Sequence, residues 1–528
     1  MNTETKPTVE TEEIIINTDV LVIGGGPTGL KAGAEITESG YKVTLIEKAA
    51  AIEAKEKSIE VLTGTCLVDT RGIPGDFTVR LERKEEIIER KVGAVVIATD
   101  ACYEPLNEDY GLSLADNVLA QSELESALDA DAAAFNQKTI AFVTGFYHES
   151  NPMALERILK SAIVLQKQGC TVYVYVNNIK VGADGLDLLY KRVRDNGGIY
   201  FKLEAPPKIT QNEATLTVTS KDPVLRRPMD LSPDLIVVEE AILPDDLNEG
   251  LAEILRIHMG PRGLLQKNNV HRFPVSSNRE GIFVIGSARQ TCGLSAAVTD
   301  AKNVALEVEN LLGDGKRIVA KDQAVVDRNK CVICLTCYRC CPHGAIYWDN
   351  RAIISPMACQ GCGICASECP MDAIQLGDFK DEDMQKAVKE SVVTNGDAPN
   401  IVAFCCQNSA FEAAEMATEF KMMLPAGLRM IKVPCAGKID LDFIMNAFVE
   451  GADGVLIMAC HAGNCKSDQG NTYAKWRVAD AHRMMTETGF EIERLRFVTL
   501  ASNMGSEFSS IVLDMEKTLR KLGPSPLK

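Results

Sequence analysis

The sequence has neither a long apolar run nor an excess of basic residues. None of its apolar stretches approaches the roughly 18 uninterrupted residues that a membrane-spanning helix needs, so we expect no transmembrane segment. Its 56 Lys and Arg residues are outnumbered by 73 Asp and Glu residues, which gives a net charge of −17. Such a chain repels phosphate backbones, and this argues against a nucleic-acid partner.

An export signal is also missing from the first residues. Residues 1–13 are polar and acid-rich, without the charged-then-apolar layout of a secretory signal, so we expect a cytoplasmic protein. In a reducing compartment, 18 cysteines indicate metal ligands or redox groups rather than disulfides. They are concentrated in two places, because residues 331–369 hold nine of them and residues 405–465 hold five.

A glycine-rich motif near the N-terminus is typical of a dinucleotide-binding fold. The apolar run 18–23 predicts a strand, Gly24, Gly26 and Gly29 open a helix, and a second predicted strand ends in Glu47. The three glycines would permit, in turn, a tight turn, close approach of a pyrophosphate and packing of helix on strand. The helix N-terminus attracts phosphate, and Glu47 is placed to hold ribose hydroxyls. The pattern therefore predicts a dinucleotide site.

A second α/β unit is predicted within this domain, over residues 138–270. Its position is that of a second dinucleotide site, but its first predicted strand, 140–143, is followed by residues 145–152 without a glycine-rich phosphate loop. A nicotinamide site is therefore poorly supported. An NAD(P)H-dependent flavin reductase is kept only as an alternative function.

Eight of the nine cysteines between residues 331 and 369 form a duplicated motif, Cys-x2-Cys-x2-Cys-x3-Cys-Pro, whose two copies lie 28 residues apart. This is the motif of ferredoxins with two [4Fe-4S] clusters, in which the fourth cysteine of each run binds the other cluster. The spacing disfavours zinc, and Cys340 is expected to be a free buried thiol. The predicted ligands are Cys331, Cys334, Cys337 and Cys369 for one cluster, and Cys359, Cys362, Cys365 and Cys341 for the other.

From residue 401, strands and helices alternate four times, which predicts a small doubly wound parallel sheet. Cys405 and Cys406 follow its first predicted strand, Cys435 the second and Cys460 the third, with Cys465 in the next loop. Parallel strands end at one edge, so these thiols should gather there. We predict a [2Fe-2S] cluster held by four of the five, because two adjacent cysteines point apart in a regular strand. A structural zinc site and a catalytic thiol pair are the alternatives.

These motifs together resemble the A-type subunit of heterodisulfide reductase, through residues 20–29, 182–190, 281–286 and the duplicated cysteine run. The C-terminal stretches 433–437, 451–454 and 459–465 are similar to the delta subunit of methyl-viologen-reducing hydrogenase. Their fusion in one chain is similar to the B-type subunit of the quinone-interacting membrane-bound oxidoreductase. The resemblance covers most of residues 18–525.

This resemblance implies FAD, two [4Fe-4S] clusters and a C-terminal cluster that faces an electron donor or acceptor. Relatives carry Ala-Thr-Gly where this chain has Ala98-Thr99-Asp100, and they have a longer segment after the acid, so the adenine end of FAD is better supported than the isoalloxazine end. The residues expected at the FAD site are Gly24, Gly26, Pro27, Thr28, Gly29, Glu47, Lys48, Thr99 and Gly286.

The predicted fold class is α/β, with a Rossmann-like FAD-binding domain that contains an inserted α/β unit, a ferredoxin domain with two [4Fe-4S] clusters, and a C-terminal doubly wound domain. The predicted boundaries are a polar tail at 1–16, the FAD domain at 17–312 with its insert at 138–270, a linker at 313–328, the ferredoxin domain at 329–378, a linker at 379–400 and the C-terminal domain at 401–528.

The resulting hypothesis is an oxidoreductase subunit that passes electrons between FAD, the two [4Fe-4S] clusters, the [2Fe-2S] cluster and protein partners. The expected partners are a second flavoprotein and a subunit of the heterodisulfide reductase or quinone reductase type, which would bring the chain to the cytoplasmic face of a membrane. A non-catalytic wiring subunit with a degenerate flavin site is the alternative. The direction of electron flow stays open.

Overall fold

The computed structural model describes residues 11–50, 59–148, 151–212, 215–221, 227–266, 269–320, 323–392 and 398–527. Residues 1–10 of the predicted tail, parts of the two predicted linkers at 321–322 and 393–397, and residue 528 lie outside the described residues. None of the helices in the described ranges combines the length and hydropathy needed to span a membrane.

The N-terminal region, residues 11–312, alternates strands and helices around two parallel sheets. Its strands are β1 (Thr11–Ile15), β2 (Val20–Ile23), β3 (Val43–Glu47), β4 (Glu60–Thr63), β5 (Thr65–Ile73), β6 (Asp76–Arg83), β7 (Glu86–Val92), β8 (Ala94–Ile97), β9 (Ala101–Pro105), β10 (Val118–Ala120), β11 (Thr139–Thr144), β12 (Thr171–Val176), β13 (Ile199–Lys202), β14 (Lys208–Gln211), β15 (Leu216–Lys221), β16 (Pro228–Leu231), β17 (Leu235–Val238), β18 (Glu240–Pro244) and β19 (Ile282–Val284). Its helices are α1 (Pro27–Glu38), α2 (Gln121–Asp131), α3 (Pro152–Lys167), α4 (Leu186–Asp195), α5 (Leu247–Leu255) and α6 (Leu294–Leu312).

The first parallel sheet has the strand order β19-β8-β2-β3-β4. Its strands are apolar on both faces because both faces are covered. Helices α1 and α6 pack on one face, and α5 and the antiparallel strands β5, β6 and β7 cover the other. Gly24 makes the turn after β2 with a φ of 111°, and a Cβ there would lie 2.3 Å from the carbonyl oxygen of Ala98. The predicted Rossmann-like domain is confirmed.

The inserted unit is a second parallel sheet, with the strand order β10-β17-β11-β12-β13. It begins at Val118 and ends at Val238, so its limits differ from the predicted 138–270. The short strand β10 pairs with β17 and thereby joins the sheet. At the other end, Leu251 and Leu255 of α5 are buried in the core of the first domain. The pairing of β10 with β17 and the packing of α5 join distant parts of the chain, and a local sequence pattern does not predict such contacts.

The ferredoxin region is small and consists of short elements. Strand β21 pairs with β24, and β22 pairs with β23. Helices α7 and α8 each carry cysteines of one copy of the motif. The elements from residue 316 to residue 391 are β20 (Lys316–Ala320), β21 (Ala324–Val326), α7 (Thr336–Cys340), β22 (Ile346–Trp348), β23 (Ala352–Ile354), α8 (Ile364–Ser367), β24 (Ile374–Leu376) and α9 (Asp381–Ser391).

Both predicted linkers contain regular structure. Strand β20 pairs in antiparallel fashion with β1 of the predicted polar tail, and Lys316 forms an ion pair with Glu13 at 2.9 Å. Helix α9 lies in the second predicted linker, where Met384 and Val388 are buried in the C-terminal core. These two apolar residues are one helical turn apart and therefore lie on the same face of α9. The residues around them are mostly charged, and for this reason the sequence predicted a linker here.

The C-terminal domain is a four-stranded parallel sheet with the order β26-β25-β27-β28 and helices on both faces. This confirms the predicted doubly wound domain. Its elements are β25 (Ile401–Cys406), α10 (Ala410–Glu419), β26 (Leu428–Val433), α11 (Leu441–Val449), β27 (Gly454–Ala459), α12 (Gly470–Thr488), β28 (Leu495–Thr499) and α13 (Gly505–Leu522).

Candidate functional site

The first group of ferredoxin thiols surrounds one small cavity of about 20 Å³. Cys331, Cys334, Cys337 and Cys369 line it, together with the apolar side chains of Val326, Val332, Ile333, Leu335, Met371 and Ile374. The fourth thiol therefore comes from the other copy of the motif, as the sequence predicted. Cys334 is exposed, whereas Cys337 is buried. Burial, and then the neighbouring thiols of Cys369, Cys334 and Cys331, raise the pKa of Cys337 to about 11.

The second group lies deeper in the protein. Burial, and then the nearby thiols of Cys341 and Cys359, raise the pKa of Cys362 to about 12, and the same two thiols act on Cys365. Burial raises the pKa of Cys341, and the nearby backbone N–H groups of Ala345, His343 and Gly344 oppose this rise. The N–H of Gly361 donates a hydrogen bond to Sγ of Cys359 at 3.5 Å. The structure thus brings together Cys341, Cys359, Cys362 and Cys365. Such N–H donors are a feature of protein sites that hold iron-sulfur thiolates.

Cys340 does not belong to either group. Its thiol is buried, its Sγ lies 3.5 Å from the carbonyl oxygen of Cys337, and burial raises its pKa. The protonated form of such a thiol is favoured, so Cys340 is suited to packing between the two groups rather than to binding metal.

Four of the five C-terminal cysteines meet at the carboxyl edge of the sheet. The Sγ atoms of Cys406 and Cys460 are 3.8 Å apart. Cys435 and Cys465 complete a ring, because their Sγ atoms both lie beside Gly470 and their thiols interact with those of Cys406 and Cys460. All four are buried, with exposed fractions of 3% or less. Interaction with the thiols of Cys435 and Cys460 lowers the pKa of Cys406 and that of Cys465.

Cys405 lies apart from this ring. It is the residue before Cys406 in β25, and adjacent residues of a strand face opposite sides of the sheet. Its Sγ is 3.6 Å from the carbonyl oxygen of Ala403 and 3.9 Å from Sδ of Met458, in the core beneath α10 and α13. The inclusion of Cys405 among the metal-binding candidates is therefore corrected, because its side chain is on the wrong face.

Within the described ranges, no set of three or more His, Cys, Asp or Glu side chains could hold a metal ion.

Gly470, at the start of α12, keeps the C-terminal ring open. A Cβ on this residue would lie 2.2 Å from Sγ of Cys435 and 3.5 Å from Sγ of Cys465. We expect Gly470→Ala to displace Cys435 and to lower the iron content of the purified chain by about two per molecule, the content of one [2Fe-2S] cluster. Gly182→Ala is the control, since a Cβ there meets no atom within 4 Å. A Gly470→Ala protein with full iron content would contradict the assignment of Cys435.

The ferredoxin and C-terminal thiol groups share one buried core. The hydroxyl of Ser467, two residues after Cys465, lies near the sulfur of Cys362 and lowers the pKa of that thiol against the larger effect of burial. Arg477 of α12 forms an ion pair with Glu368 at 2.5 Å. The second ferredoxin group and the C-terminal ring are therefore neighbours across the domain boundary.

Residues 256–266 and 269–279 of the N-terminal domain contact both groups from outside, and we call them the bracket. The side-chain amide of Asn278 donates to the carbonyl oxygen of Pro342 at 2.7 Å, and that of Asn269 donates to the carbonyl oxygen of Cys465 at 2.9 Å. His258 and Arg272 both contact the carboxylate of Asp468, at 2.7 and 2.6 Å. The sequence did not predict this segment, because its partners lie between 64 and 210 residues away along the chain.

The predicted flavin site is a cavity of about 270 Å³ at the carboxyl edge of the first sheet. Gly24, Glu47, Lys48 and Thr99 line it as predicted. Glu47 accepts hydrogen bonds from the N–H groups of Gly25 at 2.6 Å and Ala49 at 2.8 Å, which fix its carboxylate at the end of β3.

The other predicted flavin residues lie around the helix N-terminus. Pro27 is in the first turn of α1, Gly29 packs against Gly24, and Gly286 packs against Thr28. The residues present fit the adenosine end of FAD, but beside Gly26 the space is taken by the carboxylate of Asp100.

The equivalent loop of the inserted unit is occupied by the protein itself. Glu239, at the end of β17, accepts hydrogen bonds from the N–H groups of Gly145, Phe146 and Tyr147, and from the hydroxyl of Tyr110 at 2.5 Å. Successive N–H groups of this kind are what a dinucleotide phosphate would use. Since Glu239 uses them, the arrangement disfavours the NAD(P)H-dependent flavin reductase. Glu239 was not singled out in the sequence, although an acid directly after a buried strand was the available signal.

The fold and the thiol groups define the class of the molecule as a dinucleotide-fold protein fused to an iron-sulfur ferredoxin domain. Family models match three parts of it: an FAD binding domain at residues 17–154, a 4Fe-4S binding domain at 352–375, and the delta subunit of methyl-viologen-reducing hydrogenase at 401–523. Through this last part, the chain belongs to the hydrogenase delta subunit family.

Curated relatives agree with these matches. The D-type iron-sulfur subunit of the F420-non-reducing hydrogenase of Archaeoglobus profundus is 36% identical over 126 residues, which are 24% of this chain and 92% of the relative. The A-type subunit of the ferredoxin:CoB-CoM heterodisulfide reductase of Methanosarcina mazei is 25% identical over 469 residues, which are 84% of this chain. The chain spans 59% of the length of that relative. The predicted resemblance to both kinds of subunit is confirmed.

Solved structures match a little over half of the chain. Thioredoxin reductase of Lactococcus lactis has a TM-score of 0.39 and 18% identity, and it covers 56% of this chain and 100% of its own. Thioredoxin reductase of T. acidophilum has a TM-score of 0.38 and 14% identity, covering 56% of this chain and 99% of its own.

Proposed function

We propose that this chain is the flavin and iron-sulfur electron-transfer subunit of an oxidoreductase complex, carrying FAD, two [4Fe-4S] clusters and one [2Fe-2S] cluster. The observation that carries the proposal is the single buried core in which the ferredoxin thiols and the C-terminal ring meet. Flavin exchanges electron pairs and iron-sulfur clusters exchange single electrons, so one chain that holds both converts between them.

The thiolates that would hold the clusters fall into three sets. Backbone N–H groups near these thiolates, and the burial of the thiolates, would stabilise a bound cluster and exclude water from it. Both factors influence the reduction potential of an iron-sulfur cluster. At the flavin site, Gly24, Glu47, Lys48 and Thr99 would face the cofactor. The proposed ligand sets are Cys331, Cys334, Cys337 and Cys369; Cys341, Cys359, Cys362 and Cys365; and Cys406, Cys435, Cys460 and Cys465.

The proposed partners are other redox proteins. The relatives are named as the A-type subunit of heterodisulfide reductase and the D-type subunit of hydrogenase, and such names support a role inside a complex. For this chain we infer a second flavoprotein and a subunit of the heterodisulfide reductase or quinone reductase type as neighbours. Contact with a quinone reductase subunit would bring the chain to the cytoplasmic face of a membrane.

The alternative function, a wiring subunit whose flavin site is degenerate, is favoured by one observation. The carboxylate of Asp100 stands beside Gly26, where the dinucleotide phosphates of FAD would pass. In this alternative the thiol groups alone carry electrons, and the N-terminal domain serves through the bracket to hold them in place.

Chemical analysis of the full chain purified without oxygen tests both functions. The proposal expects about ten irons and about ten acid-labile sulfides per chain, together with FAD released by denaturation. Iron and sulfide without FAD would favour the wiring subunit. A colourless protein, or one that holds zinc in place of iron, would overturn both.

A further inference from the structure

The second glycine of a dinucleotide motif normally leaves a space for phosphate. Because Gly26 has no side chain, a diphosphate can pass close to the backbone at the N-terminus of α1, where the helix dipole attracts negative charge. Gly26 is the residue that precedes this helix. What fills the space beside it therefore determines how well a diphosphate can bind.

In this protein the space beside Gly26 holds a carboxylate. A Cβ on Gly26 would lie 1.8 Å from Oδ2 of Asp100 and 2.6 Å from Oδ1. Asp100 follows β8, and the preceding Thr99 is fixed by a hydrogen bond from its hydroxyl to Oδ1 of Asn248 at 2.7 Å. The carboxylate and a diphosphate cannot occupy this position together, because they would overlap and both are negatively charged.

The charges around Asp100 increase the conflict. Glu47 and Lys48 face the cavity from the end of β3, and Asp245 and Asp246 face it from the start of α5, with Cys66 on β5. Lys48 is the one basic side chain among these lining residues. Partial burial, and then the carboxylates of Glu47 and Asp245, raise the pKa of Asp100 above its ordinary value.

We propose that Asp100 sets the affinity of this site for FAD by competing for the position of the diphosphate, so that FAD binds when the carboxylate is neutralised or removed. This inference rests on the proposed flavin function and adds a residue that controls occupancy of the site. The binding of a nucleoside without phosphates does not involve Asp100. Since the protonated acid is more abundant at lower pH, FAD binds more tightly as the pH falls.

The test is titration of flavin-free full chain, with its clusters intact, with FAD, ADP or adenosine, followed by flavin fluorescence or calorimetry. Asp100→Gly should bind FAD and ADP at least about tenfold more tightly than the unaltered chain at pH 7.5, a change of about 1.4 kcal/mol. Asp100→Asn, which keeps the size and removes the charge, should show part of this gain. The affinity for adenosine should be the same in all three proteins.

The control is Asp116→Asn, which removes one negative charge from an exposed residue that does not line the cavity, and it should alter FAD affinity less than threefold. As the pH is lowered from 7.5 toward the raised pKa of Asp100, FAD affinity should rise in the unaltered chain and rise less in both Asp100 variants. Equal, tight FAD binding by the unaltered chain and Asp100→Gly would overturn the inference and leave the flavin function standing. If no variant binds FAD, both fail, while the iron content still reports on the clusters.

Discussion

Replacing Cys406 with alanine is expected to remove the C-terminal cluster, whereas replacing its neighbour Cys405 is not. Cys406 points into the thiol ring, 3.8 Å from Cys460, and Cys405 points into the opposite core layer. The purified Cys406→Ala chain should lack about two irons and the visible absorbance of a [2Fe-2S] cluster. Cys405→Ala should keep both, and should lose only about 1 kcal/mol of stability from the small cavity left behind.

This pair of variants is internally matched, since the two residues are adjacent, chemically identical and both buried. Iron and sulfide analysis, with electron paramagnetic resonance of the reduced protein, distinguishes the outcomes. Loss of iron from Cys405→Ala with retention in Cys406→Ala would reverse the assignment of faces. Loss from both would mean that the domain depends on either thiol for folding, which circular dichroism of the variants would reveal.

The second large effect concerns the crossing of ligands between the two ferredoxin motifs. Cys369→Ala and Cys341→Ala should each remove about four irons, since each takes one thiolate from one [4Fe-4S] cluster. Cys340→Ala should keep all of them, because its thiol lies outside both groups.

Double variants show which cluster each thiol serves. Combining Cys369→Ala with Cys331→Ala should cost about four irons, because both thiols line the same cavity. Combining Cys369→Ala with Cys359→Ala should cost about eight, because these thiols belong to different groups. The reverse pattern, eight for the first pair and four for the second, would show that the motifs do not cross.

Local patterns predicted most of the C-terminal domain and the grouping of the ferredoxin cysteines. Runs of strand length and helical stripes are properties of a few neighbouring residues, and the four alternations of strand and helix predicted from residue 401 are present as β25 to α13. The duplicated cysteine spacing likewise predicted that Cys369 joins Cys331, Cys334 and Cys337, and they line one cavity. That these thiols bind iron stays a prediction.

Long-range contacts could not be read from such patterns. Strand β1 pairs with β20 about 300 residues further on, and the bracket reaches Cys465 from Asn269. The face taken by Cys406 depends on the packing of the whole sheet, since a shift of one residue would exchange it with Cys405. Glu239 has its role because strand β17 places it beside the loop after β11.

The three thiol groups differ in how far they lie from the surface, and we therefore expect them to react with oxygen at different rates. Cys334 is exposed, whereas Cys362, Cys365 and the members of the C-terminal ring are buried. Dissolved oxygen therefore meets the outermost thiols first, while the inner sites are protected by the domains packed around them. Exposure to air should bleach the protein in stages, beginning at the cavity that contains Cys334.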